Sequence, residues 1–179
     1  MNADALSIDD WTEVDQLLKV AFAGSTFESA LVMSLRHAGR DIIERIIRRD
    51  GRIVAYLAIS IAYRGPAPIG YHLAPVAVHP DYQRRGFGTS IAFQTLAEPR
   101  VAEASIFVLG DPRFYGRFGF RRVQKPSCSF DPGNQHFQAL RWACDDEFTI
   151  GYEPEFQEAQ PDDDANHRRS DEFRGFSRH

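Results

Sequence analysis

The sequence predicts a single mixed α/β domain, a twisted sheet with helices on both faces, and three stretches carry that prediction. Ile53 to Tyr63 alternates a bulky set (Leu57, Ile59, Ile61, Tyr63) with a small set (Ala58, Ser60, Ala62), the two-residue period of a strand covered on both faces. Leu73 to Val78 is apolar and breaks at His79-Pro80; a glycine-bearing segment, Gln83 to Thr89, follows, and then Ile91, Ala92, Phe93 and Leu96 recur at helical spacing. Strand, glycine-rich turn and helix is the local reading. Ahead of both strands lie two segments with the three-to-four-residue period of amphipathic helices.

In the first of these, Asp9 or Asp10 can cap a helix whose apolar stripe is Trp11, Val14, Leu17, Leu18, Ala21 and Phe22, ending at Gly24. Thr26 can cap the second, with Phe27, Leu31, Leu35 and Ala38 in the stripe and Gly39 at its end. Ile42 to Arg49 mixes isoleucines with charges and reads as a strand because Asp50-Gly51 is a two-residue hairpin signal. Arg64 to Gly70, with Pro66 and Pro68, reads as a loop. Pro75 cannot donate a ladder hydrogen bond, so the Tyr71 to Val78 strand is expected to bulge or to part from a neighbour. The helix after the glycines stops at Glu98, because Pro99 follows. Ser105 to Leu109 reads as a buried strand, and Asp111-Pro112 as the start of a short helix. Arg121 and Val123 begin another strand, Lys125 to Gln135 is a loop, Phe137 to Trp142 a strand, and Phe148 to Tyr152 a last short one.

Composition narrows the function. Of 179 residues 43% are hydrophobic and 26% charged, as in an ordinary soluble domain with a full core. A net charge of −4 argues against nucleic-acid binding through a basic face. There is no run of about 18 apolar residues to span a membrane, and Met1 to Asp10 lacks the apolar centre of a signal peptide, so a cytoplasmic location is expected. Cys128 and Cys144 are expected to be free thiols. From Gln157 apolar residues become sparse and charges run in blocks, which predicts a body over 1–156 and a mobile polar tail over 157–179.

The glycine-bearing segment suggests chemistry of its own. Gly86 and Gly88 let backbone approach a ligand, and the first amides of the following helix point at an anion. Arg84 and Arg85 add positive charge, so the segment reads as a pyrophosphate cradle. It is neither a Walker turn, since Thr89-Ser90 follows Gly88 without a lysine, nor a dinucleotide fingerprint, since a third glycine is missing. It resembles the acetyl-CoA motif of the GNAT superfamily of N-acetyltransferases, Gln/Arg-x-x-Gly-x-Gly/Ala. The stretch from Asp111 through Phe114-Tyr115 to Gly119-Phe120 resembles that superfamily's second segment, in the expected order and at about the usual separation. His72 to Val78 and Leu109 to Tyr115 resemble a bacterial subgroup, and the likeness spans about Leu6 to Phe156.

That resemblance implies about seven strands, mostly antiparallel, with a parallel pair splayed around a CoA cleft. It implies acetyl-CoA as cosubstrate, no metal, and acetyl transfer to an amine by direct attack in a ternary complex. The cofactor would be held by the freed strand edge at Val76, Ala77 and Val78 and by the cradle of Gln83, Arg84, Arg85, Gly86, Phe87, Gly88 and Thr89. A backbone N–H near Val78 would meet the oxyanion. Tyr115 would lie against the cofactor and protonate the departing thiolate. A free amine is almost wholly protonated at neutral pH and needs a base, for which His72 is the candidate. The scattered histidines lack metal-ligand spacing. The acceptor would be a small-molecule or peptide amine, lying between Phe22–Glu28 and Lys125–Gln135; a homodimer is open, and no nucleic-acid or membrane partner is expected. The alternative from another class is a non-catalytic module that binds CoA for regulation or assembly.

Overall fold

The computed structural model of the chain describes residues 1–159. Helices α1 (Trp11–Ala21) and α2 (Phe27–His37) form where the apolar stripes predict them. Their starts differ in detail from the expectation. Asp10 reaches back to the Ser7 amide (2.9 Å) instead of capping forward, and Ser25, not Thr26, takes the Phe27 amide (3.2 Å). Val14, Leu17, Leu18 and Val32 pack on one face of the sheet against Tyr56, Ala58 and Ala77.

The sheet has seven strands: β1 (Asp4–Ala5), β2 (Ile43–Arg49), β3 (Arg52–Arg64), β4 (Ala67–Val78), β5 (Ile106–Leu109), β6 (Arg121–Arg122) and β7 (Phe137–Leu140), in the order β1-β2-β3-β4-β5-β7-β6. Only β4 and β5 run parallel. Of the small side chains of β3, Ala58 meets α1 and α2 while Ala62 packs with Phe107 and Phe137, and Leu57 and Ile59 face helix α3 (Phe87–Leu96) through Ile91, Ala92 and Leu96. Asp50-Gly51 makes the predicted hairpin, with φ of 51° and 78°. The predicted loop over Arg64 to Gly70 is instead a tight turn at Gly65-Pro66. The chain resumes as β4 at Ala67, and a register shift at Tyr63 accommodates Pro68.

Beyond β5 come the short helix α4 (Pro112–Tyr115), capped by Asp111 on the Arg113 amide (2.8 Å), and the small antiparallel pair β6–β7. The Lys125 to Gln135 loop is braced from within. Asn134 donates to the carbonyls of Val123, Gln124 and Pro126 and accepts from Cys128 N, while Asp131 takes the amides of His136 (2.6 Å) and Phe137 (2.9 Å). Both cysteines are free, as expected.

Phe148 to Tyr152 does not form a strand. It makes two single bridges, Ser127 to Thr149 and Tyr63 to Gly151, and continues into helix α5 (Glu155–Glu158). This strap lies back over the sheet: Arg40 bonds Glu155 and Glu153, and Tyr63 Oη donates to Glu153 (2.9 Å). Since α5 crosses the boundary predicted at Phe156, the packed body reaches Ala159; the rest of the predicted tail, 160–179, lies outside the described residues.

Candidate active site

The site begins where β4 and β5 separate. They pair at Tyr71–Ile106 and His72–Phe107, with Tyr71 N donating to Ser105 O (2.9 Å), and nowhere further on. Gly70 permits the approach, because a Cβ there would run into the Ser105 carbonyl. Past His72 the register against β3 slips between Leu73 and Val76, and the slip takes up Ala74-Pro75, the bulge that the proline predicts.

Backbone direction then fixes what the freed edge offers. His79 N donates to Val54 O on β3, and N–H groups alternate along a strand. The amides of Val78 and Val76 therefore point away from β3, into the gap left by β5. A chain of amides laid in the gap would find strand-like partners there, and a developing oxyanion would find a donor at Val78.

The gap leads into the glycine turn. Gln83 Nε2 donates to Val78 O (3.2 Å), tying the turn to the end of β4. Arg84 and Gly86 both have positive φ, 58° and 86°, which wraps the turn tightly before α3 starts at Phe87. The first bond into the helix is Ser90 N to Gly86 O (2.8 Å), so the amides of Phe87, Gly88 and Thr89 emerge at the helix end as donors aimed at an anion. Arg84 and Arg85 are exposed beside them, and the Arg85 guanidinium lies over the Tyr82 ring (5.6 Å).

Tyr115 is 1% exposed and shares a cluster with Val76, Val78 and Leu73; its ring meets Phe114 and Phe120 edge-on, with centroids 5.0 and 5.5 Å away. The structure therefore brings the expected acid to the freed edge of β4. His72 goes elsewhere. Alternation turns it to the opposite face of the sheet from Leu73, and Tyr152 lies flat on its ring (3.8 Å, 8°), with Phe107 and Phe156 near.

Its Nε2 bonds the Gly151 carbonyl (3.1 Å), so Nε2 carries the proton and the ring is neutral. Burial in this aromatic setting pushes the His72 pKa down to about 3. A base that weak cannot hold a proton taken from an amine of pKa near about 10. The base expected at His72 is thus corrected to a buried, neutral, stacked ring.

Linkage gives this a measurable sign. In the unfolded chain His72 titrates near about 6.5, so between that value and about 3 the unfolded state binds the extra proton. Its contribution to stability is complete above about 6.5 and falls, by up to about 1.4 kcal/mol per pH unit, as pH drops toward 3. Urea unfolding at pH 7 and pH 5 should show a smaller loss in His72→Gln than in the unmodified protein; equal losses would mean that the ring titrates normally.

Four features carried no signal in the isolated residues: Tyr152 and Gly151 over His72, and Glu153 and Glu155 beside Arg40. The four-residue spacing of Tyr152 and Phe156, with Pro154 between them, is the trace that could have revealed a docked turn of helix. Of the residues expected to line an acceptor, Phe27 is half-buried and Glu28 buried, while Lys125 pairs with Glu147 (2.8 Å) and Asp131 serves as a loop brace.

Comparison with known proteins bears on this arrangement. Residues 43–122 match the family described as "Acetyltransferase (GNAT) domain". The chain is 29% identical over 137 residues, 74% of its length and 81% of the relative's, to the uncharacterized N-acetyltransferase YhbS of Escherichia coli. It is also 29% identical to YjhQ of the same species over 69% of its own length and 68% of that relative. Among solved structures, YhbS in complex with CoA superposes with a TM-score of 0.78 at 25% identity, covering 87% of this chain and 91% of that one. A GNAT family acetyltransferase from Brucella melitensis in complex with acetyl-CoA gives 0.72 at 29% identity, covering 87% and 97%.

Proposed function

Because the chain belongs to the GNAT superfamily of N-acetyltransferases, we propose that it moves an acetyl group from acetyl-CoA directly to a primary amine bound beside it. The observation that carries the reading is the continuity of the gap past His72 with the amide-lined turn at Gly86. In that reading the pyrophosphate rests on the amides of Phe87, Gly88 and Thr89, with Arg84 and Arg85 as countercharge, and the pantetheine arm pairs with the edge at Val76 and Val78, while Ala77, expected to share in it, turns its amide to β3. CoA bound to the YhbS and Brucella melitensis proteins supports the same use here.

The chemistry follows from these residues. The amine attacks the thioester carbon, and the oxygen gathers charge beside the Val78 amide. The C–S bond then breaks, and the Tyr115 hydroxyl supplies the proton that the leaving sulfur takes. The thiolate is a fair leaving group, with a thiol pKa near about 8.5, so the proton accelerates the step and does not enable it. For His72 we propose a positioning role, holding Tyr152 and the strap in place; the amine sheds its proton to solvent. Acetyl-CoA binding by calorimetry, run with thiol release over a pool of amines, tests the whole. Binding with amine-dependent release is expected, and no binding would remove the cradle and the function with it.

A further inference from the structure

On the His72 side of the sheet, three aromatic rings are only half-buried: Phe27 on α2, Phe130 on the braced loop and Tyr152 on the strap. They belong to one cluster with Leu31, Leu35, Phe156 and Ala74, and Ala74 is the half-buried residue of β4 just past the point where β5 leaves it. Phe130 stands edge-on to Tyr152 (4.7 Å, 89°), and Tyr152 is backed by His72. The result is a partly exposed aromatic wall beside Ala74 of β4.

A buried carboxylate follows Phe27 in the first turn of α2. Glu28, next to Phe27, is 4% exposed and lies one helical turn before Leu31 and Val32, which pack into the clusters holding Ala74 and Ala77 respectively. The Ser25 hydroxyl donates to it (2.8 Å), and among the described residues no cation pairs with it. Burial raises its pKa. A capping glutamate would ordinarily sit in water at the first turn, so burying this one without a countercharge costs stability that capping alone does not return.

A second excess of negative charge lies on the strap just before Phe156. There Glu153 and Glu155, 3% and 5% exposed, share the single guanidinium of Arg40. Aromatic faces and buried carboxylates together suit an organic cation and repel an anion.

We propose that Glu28 is a specificity residue for the acceptor, and that the acceptor is a dication: one nitrogen, uncharged when it reacts, reaches the thioester, and a second, still an ammonium, is held by Glu28 against the Phe27, Phe130 and Tyr152 rings. This rests on the acetyl-transfer reading. The class it names is a diamine, a polyamine or a basic amino acid, as opposed to a simple monoamine or an acidic acceptor.

The test uses a matched pair, a pentane-chain diamine and the monoamine of equal length, titrated by calorimetry into the full chain saturated with CoA and followed separately by thiol release with acetyl-CoA. The diamine should bind at least about tenfold more tightly than the monoamine, as a charge-assisted contact is worth. Glu28→Gln, which keeps an oxygen for Ser25, should abolish that preference by raising the diamine's Kd and KM to those of the monoamine, and Phe130→Leu should reduce it a few-fold. Equal binding of the two amines, or a preference that survives Glu28→Gln, would overturn the assignment. Thiol release with the monoamine would then show that transfer itself stands, and its absence with every amine would show that transfer had failed as well.

Discussion

Replacing Gly88 with aspartate should weaken acetyl-CoA binding by about 100-fold. A carboxylate about 4 Å from a phosphate opposes it by roughly 4 kcal/mol at an effective dielectric of about 20, and even with part of that screened about 3 kcal/mol remains, or some two decades in affinity. Gly88 is the second residue of α3, where an acidic side chain favours the helix dipole and losing glycine favours the helix, but it is buried, so seating a carboxylate there also costs stability. Calorimetry gives the affinity and a thermal melt the fold. Gly88→Ala separates bulk from charge: it should lose much less than the aspartate. Unchanged affinity in Gly88→Asp would mean that the amides of α3 do not carry the pyrophosphate.

The second large effect is on rate. Tyr115→Phe should lower kcat by about 100-fold with acetyl-CoA KM nearly unchanged, since the hydroxyl acts only as charge develops on sulfur. Its ring is wedged edge-on between Phe114 and Phe120, and phenylalanine keeps those contacts. The melt reports separately what the fold loses with the buried hydroxyl. A more acidic leaving thiol in a synthetic thioester should restore part of the rate in the variant, because it needs the proton less. An unaltered kcat would take Tyr115 out of the reaction.

Most of the fold was legible because periodicity reports burial. β3 shows its two covered faces in alternating side-chain size, and α1 shows its single covered face in Val14, Leu17, Leu18 and Ala21. The glycine turn was legible because little besides glycine supports positive φ and close backbone approach at Gly86. What escaped depends on contacts between distant segments. His72 looked like a base because strand position and residue type are local, whereas its pKa is pushed down by burial under a strap about 80 residues on, which outweighs the opposite pull of the Gly151 carbonyl. The Phe148 to Tyr152 segment looked like a strand because it is apolar and aromatic. It fails to be one because its partners, Ser127 and Tyr63, lie on different elements, so it can make a bridge to each but a ladder with neither. Asp131 looked available to a ligand and is spent on two amides of its own loop.

The strap that covers His72 has a consequence for the order in which the protein becomes active. The cradle and the two strands that open the gap lie before Tyr115, whereas the aromatic wall needs residues 150 to 156 as well, the last packed turn before Ala159. On a ribosome, the part that would hold the acyl donor can fold while the part that would hold the acceptor is still in the exit tunnel. A nascent or clipped chain ending near residue 147 would be a donor-binding fragment with no acceptor wall, able to sequester cofactor without spending it. In that reading the described residues after 147 decide whether a bound donor can be spent.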